Sequence, residues 1–240
     1  LSSGSVLALS AMIAASLAQT SDFSRAVFPS LTDLPVWIPV AMGLGVGLLA
    51  GAINGSIIAV TGIPPFIATL GMMVSARGIA KWWTAGQPVS FPTESYAAIG
   101  AGMMPVIIFV VLAVLFHLIL GYTVYGKHTY AIGSNEAAAR MSGINVKRHN
   151  LVLFALVGLM AGLAAVLLTS RLGSTRPTLA MGWELAVVTM AVLGGINILG
   201  GSGMMVGVII AAFLMGLVAF GLSLLNVPGI VMSIIIGAML

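Results

Sequence analysis

The sequence predicts an all-α, polytopic membrane protein: a multi-helix bundle with six complete membrane segments and one truncated segment at each end. Three observations carry this. Hydrophobic residues make up 60% of the 240 and charged residues only 6%, with a mean hydropathy of +1.19. A soluble domain carries roughly 25% charged residues, so this chain has too little polar surface to face water. The apolar runs are continuous and do not alternate, which excludes a membrane β-barrel. Thirty glycines suit helices that approach closely through small residues.

Composition also sets limits on chemistry. The chain has no cysteine, so neither disulfides nor a thiolate metal site is available. The net charge of +4 rests on too few residues to point to nucleic acid. The chain opens at Leu1 and stops at Leu240 inside an apolar run. Both ends read as cut, and 1–240 is expected to be a single transmembrane domain within a longer one.

Leu1 to Ala18, opened by Ser2, Ser3, Gly4 and Ser5, is the first truncated segment. A polar connection follows to Leu34, with Asp22, Arg25 and Asp33. Pro35 to Val60 is long enough to cross, since a spanning helix needs about 20 residues. Its glycines at 43, 47, 51 and 55 recur every fourth position and predict a smooth packing strip on one helix face. Asn54 is the one strongly polar side chain in that span. A buried amide must find partners, so it either bonds a neighbouring helix or lines a wet path.

Thr61 to Pro65 reads as a tight turn, with Pro64 and Pro65 in the first turn of the next helix, where a missing N–H costs little. That helix carries Thr69 and Arg77 and ends in Lys81-Trp82-Trp83, an interfacial aromatic belt with a snorkelling lysine. Arg77, one turn deeper, is expected to snorkel as well. Ala85 to Gly102 is a polar loop. A span from Met103 or Pro105 to Gly121 holds one ionisable group, His117, and another span runs from Leu151 to Ser170.

After the polar connection 171–181, Trp183-Glu184-Leu185 opens an apolar stretch to Ile198. It is short for a crossing and is the segment that best suits a half-helix. Gly194-Gly195 and Gly200-Gly201-Ser202-Gly203 close it. No Lys-Ser/Thr follows, so this is not a phosphate loop; the glycines are expected to let backbones approach at a helix break. Met204 to Leu225 is a further span, and Val227-Pro228-Gly229 starts the last, truncated one.

The long polar interruption is Tyr122 to Asn150. It holds four of the nine Lys and Arg (Lys127, Arg140, Lys147 and Arg148) together with His128, His149 and Glu136. Asn135 to Arg140 are good helix formers, with Ser134 placed to cap them and Gly143 to stop them. A short helix over Ser134–Ser142 is predicted. Glu136 and Arg140 stand one turn apart, and such an exposed pair contributes only ~0.3–0.5 kcal/mol. At least one of the two charges is therefore assigned to a partner surface. A solvated loop without a partner is the competing reading. If every span crosses, the connections 19–34, 84–102 and 171–183 share one side and 122–150 lies on the other. Four cations there against Arg25, Arg171 and Arg176 opposite agree mildly with a cytoplasmic loop.

The residues bear on three classes: transporter, membrane enzyme and structural membrane component. An enzyme wants clustered carboxylates or a nucleophile–base pair. The five acids are Asp22, Asp33, Glu94, Glu136 and Glu184, and only Glu184 lies at the mouth of a span. An ion- or proton-coupled secondary transporter of a small polar solute, the alternative function, would keep acids in mid-membrane. A pump driven from another subunit needs neither those acids nor a nucleotide motif. Asn54, Thr69 and Glu184 are the candidates for polar lining of a translocation path.

Four stretches resemble one family. These are Tyr130-Ala131-Ile132-Gly133 with Asn135-Glu136-Ala137-Ala138-Ala139-Arg140, Ser142-Gly143-Ile144 and Asn145-Val146; Phe66 to Met73 with Arg77-Gly78; Gln87-Pro88-Val89; and Val192-Leu193-Gly194-Gly195 with Gly200-Gly201-Ser202-Gly203 and Gly207. They are similar to ABC importer permeases of the ribose, xylose and rhamnose type, including the autoinducer-2 branch, over essentially the whole chain. Two departures from the general importer signature stand out: four residues separate Ala138 from Gly143 where that pattern has three, and its Ile-x-Leu-Pro is absent.

The resemblance implies a permease subunit in the bacterial plasma (inner) membrane. It would move a monosaccharide or similar small solute handed over by a soluble binding protein. Asn135, Glu136, Ala137, Ala138, Arg140 and Gly143 would couple it to a groove on a separate ATP-hydrolysing subunit. Two permeases, identical or paralogous, would pair above two ATPases. No cofactor, metal, catalytic residue or nucleic acid is implied, and lipid is the remaining partner.

Overall fold

The computed structural model describes residues 1–21, 27–90, 92–227, 231, 234 and 237. Asp22 and Arg25, and nearly all of the expected last segment from Pro228, lie outside the described residues. The helices are α1 (Ser3–Leu17), α2 (Trp37–Thr61), α3 (Pro65–Trp83), α4 (Glu94–Ala97), α5 (Met104–Tyr122), α6 (Val124–Ser134), α7 (Glu136–Met141), α8 (Val146–Leu172), α9 (Trp183–Leu193) and α10 (Met205–Leu224). The strands β1 (Val89–Ser90) and β2 (Ser174–Thr175) are two residues each and lie in connections, not in spans.

Among the described residues, four helices are long and apolar enough to cross a membrane: α2, α5, α8 and α10. The expected count of six complete segments is not confirmed by length and composition. α3 has the length, at 19 residues, but Ser75, Arg77 and Lys81 dilute its apolar character. α9 has 11 residues, about 16 Å of rise against a hydrocarbon core of ~30 Å. The stretch to Ile198 therefore ends early, at Leu193.

The chain packs as two compact units. The first comprises Leu1–Ile107 and Lys147–Met181, the second Ile108–Val146 and Gly182–Leu240. In the first unit α1 is the core, and every residue of it except Ser3 is buried. A helix apolar all round belongs inside a bundle, and the alanines at 8, 11, 14 and 15 let α2 and α3 pack close to it. The glycine strip of α2 does pack: it lies on α8, which answers with Gly158 and Gly162. A Cβ on Gly47 would sit 2.9 Å from the Gly162 Cα, and one on Gly55 2.8 Å from the Leu151 Cα. These are backbone-to-backbone approaches along a whole helix face.

The three connections expected to share a side gather at the C-terminal end of α1. Val89 pairs with Thr175 and Ser90 with Ser174, antiparallel, and Gln19 bridges to Pro92. The Gln19 amide ties the group together: its Nε2 donates to Ser90 O at 3.0 Å and its Oε1 accepts from Val27 N at 2.8 Å. Tyr96 of α4 is fully buried, its hydroxyl 2.7 Å from Thr169 Oγ1. Desolvation pushes this phenol up to about 12.

Arg77 does not snorkel, contrary to expectation. Its guanidinium donates to Pro177 O at 2.9 Å, Leu179 O at 2.7 Å and Ser5 Oγ at 3.1 Å. Unpaired carbonyls within reach are better partners for a planar fork than distant water. Trp83 also turns inward, donating its indole N–H to Ser16 Oγ at 3.1 Å, while Trp82 stays 78% exposed.

In the second unit α9 packs on α10. Gly194 and Gly207 make that crossing close: a Cβ on Gly194 would lie 2.5 Å from the Val208 Cα. The long helices here bury little. Ala113 is the only buried residue of α5, and α10 buries Ala211 and Met215.

Candidate functional site

The polar interruption is more ordered than one loop helix. α5 runs to Tyr122, Thr123 caps α6 by accepting from Gly126 N at 3.3 Å, and α8 begins at Val146. Ser134 is the last residue of α6, so it is not the cap of the next helix; Asn135 is. Its Oδ1 accepts from Ala138 N at 3.0 Å from an extended backbone. An amide acceptor in that conformation reaches the third residue on as well as a hydroxyl does.

α7 is thus six residues, Glu136–Met141, shorter than predicted. Glu136 in the first turn and Arg140 in the last both oppose the helix dipole favourably, and they pair with each other. Gly143 does stop the helix: at φ +83 it turns left-handed. Its N–H donates to Arg140 O at 3.0 Å and the next, from Ile144, to Ala139 O at 3.1 Å. Asn135, Glu136, Ala137, Ala138, Arg140 and Gly143 are all exposed, as is Met141 at 85%; Ala139 alone faces inward. The six predicted coupling residues therefore share one short water-accessible element.

The glycine connection between α9 and α10 is a closed turn. Asn197 N donates to Ser202 O at 3.0 Å, Gly200 N to Asn197 O at 2.9 Å, and Leu199 N to the Asn197 side chain at 3.0 Å. As expected, its glycines admit another backbone, but that backbone is the end of α6, which the sequence reading missed. A Cβ on Gly133 would lie 2.5 Å from Gly201 N, and one on Gly200 2.9 Å from Gly133 O. The Tyr130 hydroxyl donates to Gly203 O at 3.1 Å and Ser134 Oγ lies 3.5 Å from Gly201 O. The available signal was Gly133 itself, a glycine out of place at the end of a helix.

Within the first unit, Asn54 and Thr69 do not share one wall. Asn54, 2% exposed, donates to Ser2 Oγ at 3.2 Å, while its Oδ1 has no partner among the described residues. It lines a pocket of about 600 Å³ between α1, α2 and α3, walled apart from Ser75 by apolar residues such as Leu9, Ile53, Ile67 and Met72. Thr69 is buried nearby in sequence, but its hydroxyl donates back to Phe66 O at 3.1 Å and it is not on that wall. Glu184 belongs to the second unit, where it opens α9 and accepts from Gly182 N at 3.0 Å.

Comparison with known proteins agrees with this picture. The profile of the family described as "Branched-chain amino acid transport system / permease component" matches residues 1–240. The chain is 37% identical over 237 residues to the ribose import permease protein RbsC of Haemophilus influenzae, covering 95% of this chain and 69% of that one. It is 35% identical over 231 residues to the L-arabinose transport system permease protein AraH of Escherichia coli, covering 94% and 70%. Against the galactose/methyl galactoside import permease protein MglC of E. coli it is 33% identical over 252 residues, covering 100% and 75%. No solved structure matches. A helical chain with four apolar helices long enough to cross a membrane, matched end to end by this profile, belongs to the family of membrane permease components of the branched-chain amino acid transport type.

Proposed function

We propose that the chain is the membrane-spanning permease subunit of an ATP-driven importer in the bacterial inner membrane. Its cargo is a monosaccharide or similarly small polar solute delivered by a soluble binding protein, and ATP is hydrolysed on a separate subunit docked at α7. The observation that carries this reading is α7: five of six residues exposed on a doubly capped helix, with an exposed ion pair too weak (~0.3–0.5 kcal/mol) to explain both charges. Relatives named for ribose, L-arabinose and galactose support a sugar over the amino acid in the family description. The importer works as two permeases over two ATPases, because one chain offers one α7. Asn54, with its unpaired Oδ1, is the strongest candidate for polar path lining; Thr69 and Glu184 are weaker ones.

The test uses the full-length permease reconstituted with its ATPase and binding protein. Ala138→Asp or Gly143→Val should abolish solute-stimulated ATP hydrolysis while the permease still inserts. Arg140→Ala should weaken ATPase association and leave recognition of the binding protein unchanged. An ATPase that co-purifies and hydrolyses normally with Ala138→Asp would overturn the assignment of α7. Uptake driven by a proton gradient without ATP would instead favour a secondary transporter. A panel of monosaccharides and branched-chain amino acids identifies the cargo.

A further inference from the structure

We infer that the turn between α9 and α10 forms a second part of the ATPase-docking face, with Ile198 and Leu199 as its apolar contacts. This rests on the reading of α7 as the ATPase contact. Three observations place the turn there. First, its glycine side is pressed onto the end of α6 through Gly133, Gly200 and Gly201, and Ser134, which lies 3.5 Å from Gly201 O, immediately precedes Asn135, the cap of α7. The turn and α7 thus adjoin within one compact unit.

Second, the turn is closed by its own hydrogen bonds and anchored by α6. Asn197, Leu199, Gly200 and Ser202 engage one another through backbone and Asn197 side-chain hydrogen bonds, and Tyr130 holds the carbonyl of Gly203. Its tip therefore offers side chains, not unsatisfied backbone, to whatever lies opposite. Third, those side chains are apolar and uncovered: Ile198 is 78% and Leu199 90% exposed. They belong to the turn that rests on Gly133 and Ser134, next in the chain to a helix whose exposed residues combine the Glu136–Arg140 ion pair with Ala137, Ala138 and Met141; charged groups there favour water over acyl chains. Two adjacent branched aliphatics left bare in such a setting mark a contact surface.

Continuity with α7 selects the occupant. It is the same ATPase subunit, which must offer an apolar hollow beside its groove for α7. Because α9 runs directly into the turn at Gly194, a push on the tip bears on the helix that carries Glu184. The coupling face would then act on two elements, α7 and α9.

The experiment introduces Leu199→Cys and Met141→Cys singly into the full-length permease. Each is labelled with a photoactivatable maleimide, and the permease–ATPase complex is irradiated in lipid nanodiscs. The inference expects both positions to cross-link to the ATPase subunit. It also expects Leu199→Asp to weaken ATPase association about tenfold, as loss of a central apolar anchor does. Cross-links from Met141 to the ATPase but from Leu199 only to lipid or to a second permease would overturn the inference and leave the α7 reading intact. Cross-links to the ATPase from neither position would overturn both. Leu199 reaching the ATPase while Met141 does not would overturn the shared face.

Discussion

Two glycine junctions hold this molecule, and they work differently. In the first unit Gly43, Gly47 and Gly51 of α2 meet Gly158 and Gly162 of α8, and Gly55 meets Leu151, over about three turns. All these glycines are ordinary helical residues, and what matters is the missing Cβ, which lets two backbones touch and gain dispersion contacts along the whole seam. In the second unit Gly133 meets Gly200 and Gly201 at one point, and Gly201 stands at φ +79. Here glycine supplies a backbone conformation as well as room. A repeated seam makes a rigid body, whereas a single point contact makes a joint that holds one element against another. Burial follows the same division: 39% of the apolar window of α2 is buried against 6% of that of α5. The first unit carries the core, and the second leaves most of its helical surface exposed.

The sharpest way to break this contrast is Gly51→Val. Its added carbons would meet the Gly158 Cα and the Phe154 carbonyl, which can yield only if α8 moves. We expect about 3 kcal/mol of destabilisation, the upper end of ordinary overpacking, read as loss of monodisperse protein after detergent extraction. Gly45→Ala on the same helix faces open space and should leave the yield unchanged. Wild-type thermal stability in Gly51→Val would remove the rigid seam from the argument.

Arg77→Met comes next. It strips donors from Pro177 O, Leu179 O and Ser5 Oγ, and bonds from a charged donor contribute about 1.5–3 kcal/mol each. With partial relaxation we expect a loss of about 2–3 kcal/mol and faster proteolysis within 171–183, with Arg77→Lys recovering only part. Unchanged cleavage would mean that this loop is held by β1 and β2 alone.

Tyr96 gives the first unit a pH signature. Its phenol is raised from an ordinary 10 to about 12, so between those values the folded chain keeps a proton that the unfolded chain has lost. Its contribution is complete below pH 10 and is lost as pH rises through about 12, an effect of roughly 2–3 kcal/mol at one unit per 1.36 kcal/mol. Tyr96→Phe should abolish that alkaline slope and cost about 1 kcal/mol at neutral pH. A slope that persists in the variant would assign it to another group.

The smallest effect belongs to the second unit. Asn135→Ala removes the cap of α7, worth about 1 kcal/mol, and should speed exchange of the Ala138 amide without moving the global melting temperature. Glu136→Gln should cost no more than about 0.5 kcal/mol, because both partners are over half exposed and such pairs contribute little. A fall in melting temperature as large as that of Gly51→Val would show the two units to be equally cooperative.

Much of this was readable in advance. Hydropathy placed α2, α5, α8 and α10, because an apolar run of such length has few folded alternatives. The four-residue glycine spacing announced the seam, since a helical period needs no tertiary knowledge to be seen. Gly143 announced the end of α7 for the same local reason. The cap shifted from Ser134 to Asn135 because both side chains can accept that bond, and only the continuation of α6 through Ser134 decides between them. Of the candidate path residues, Asn54 reaches a pocket wall while Thr69 turns back to its own helix. A hydroxyl in a helix always has that carbonyl within reach.

By itself the sequence determined class, periodicity and local stops: membrane helices, a packing strip, a capped polar helix, a glycine break. These depend on composition and on contacts within about four residues. Tertiary structure alone decided which separate stretches meet. It drew Arg77 to carbonyls a hundred residues away, buried α1 on all sides, and set Gly133 against Gly201. Such choices follow from long-range closure, where many pairings satisfy the same local pattern and only the packing of the whole unit selects among them.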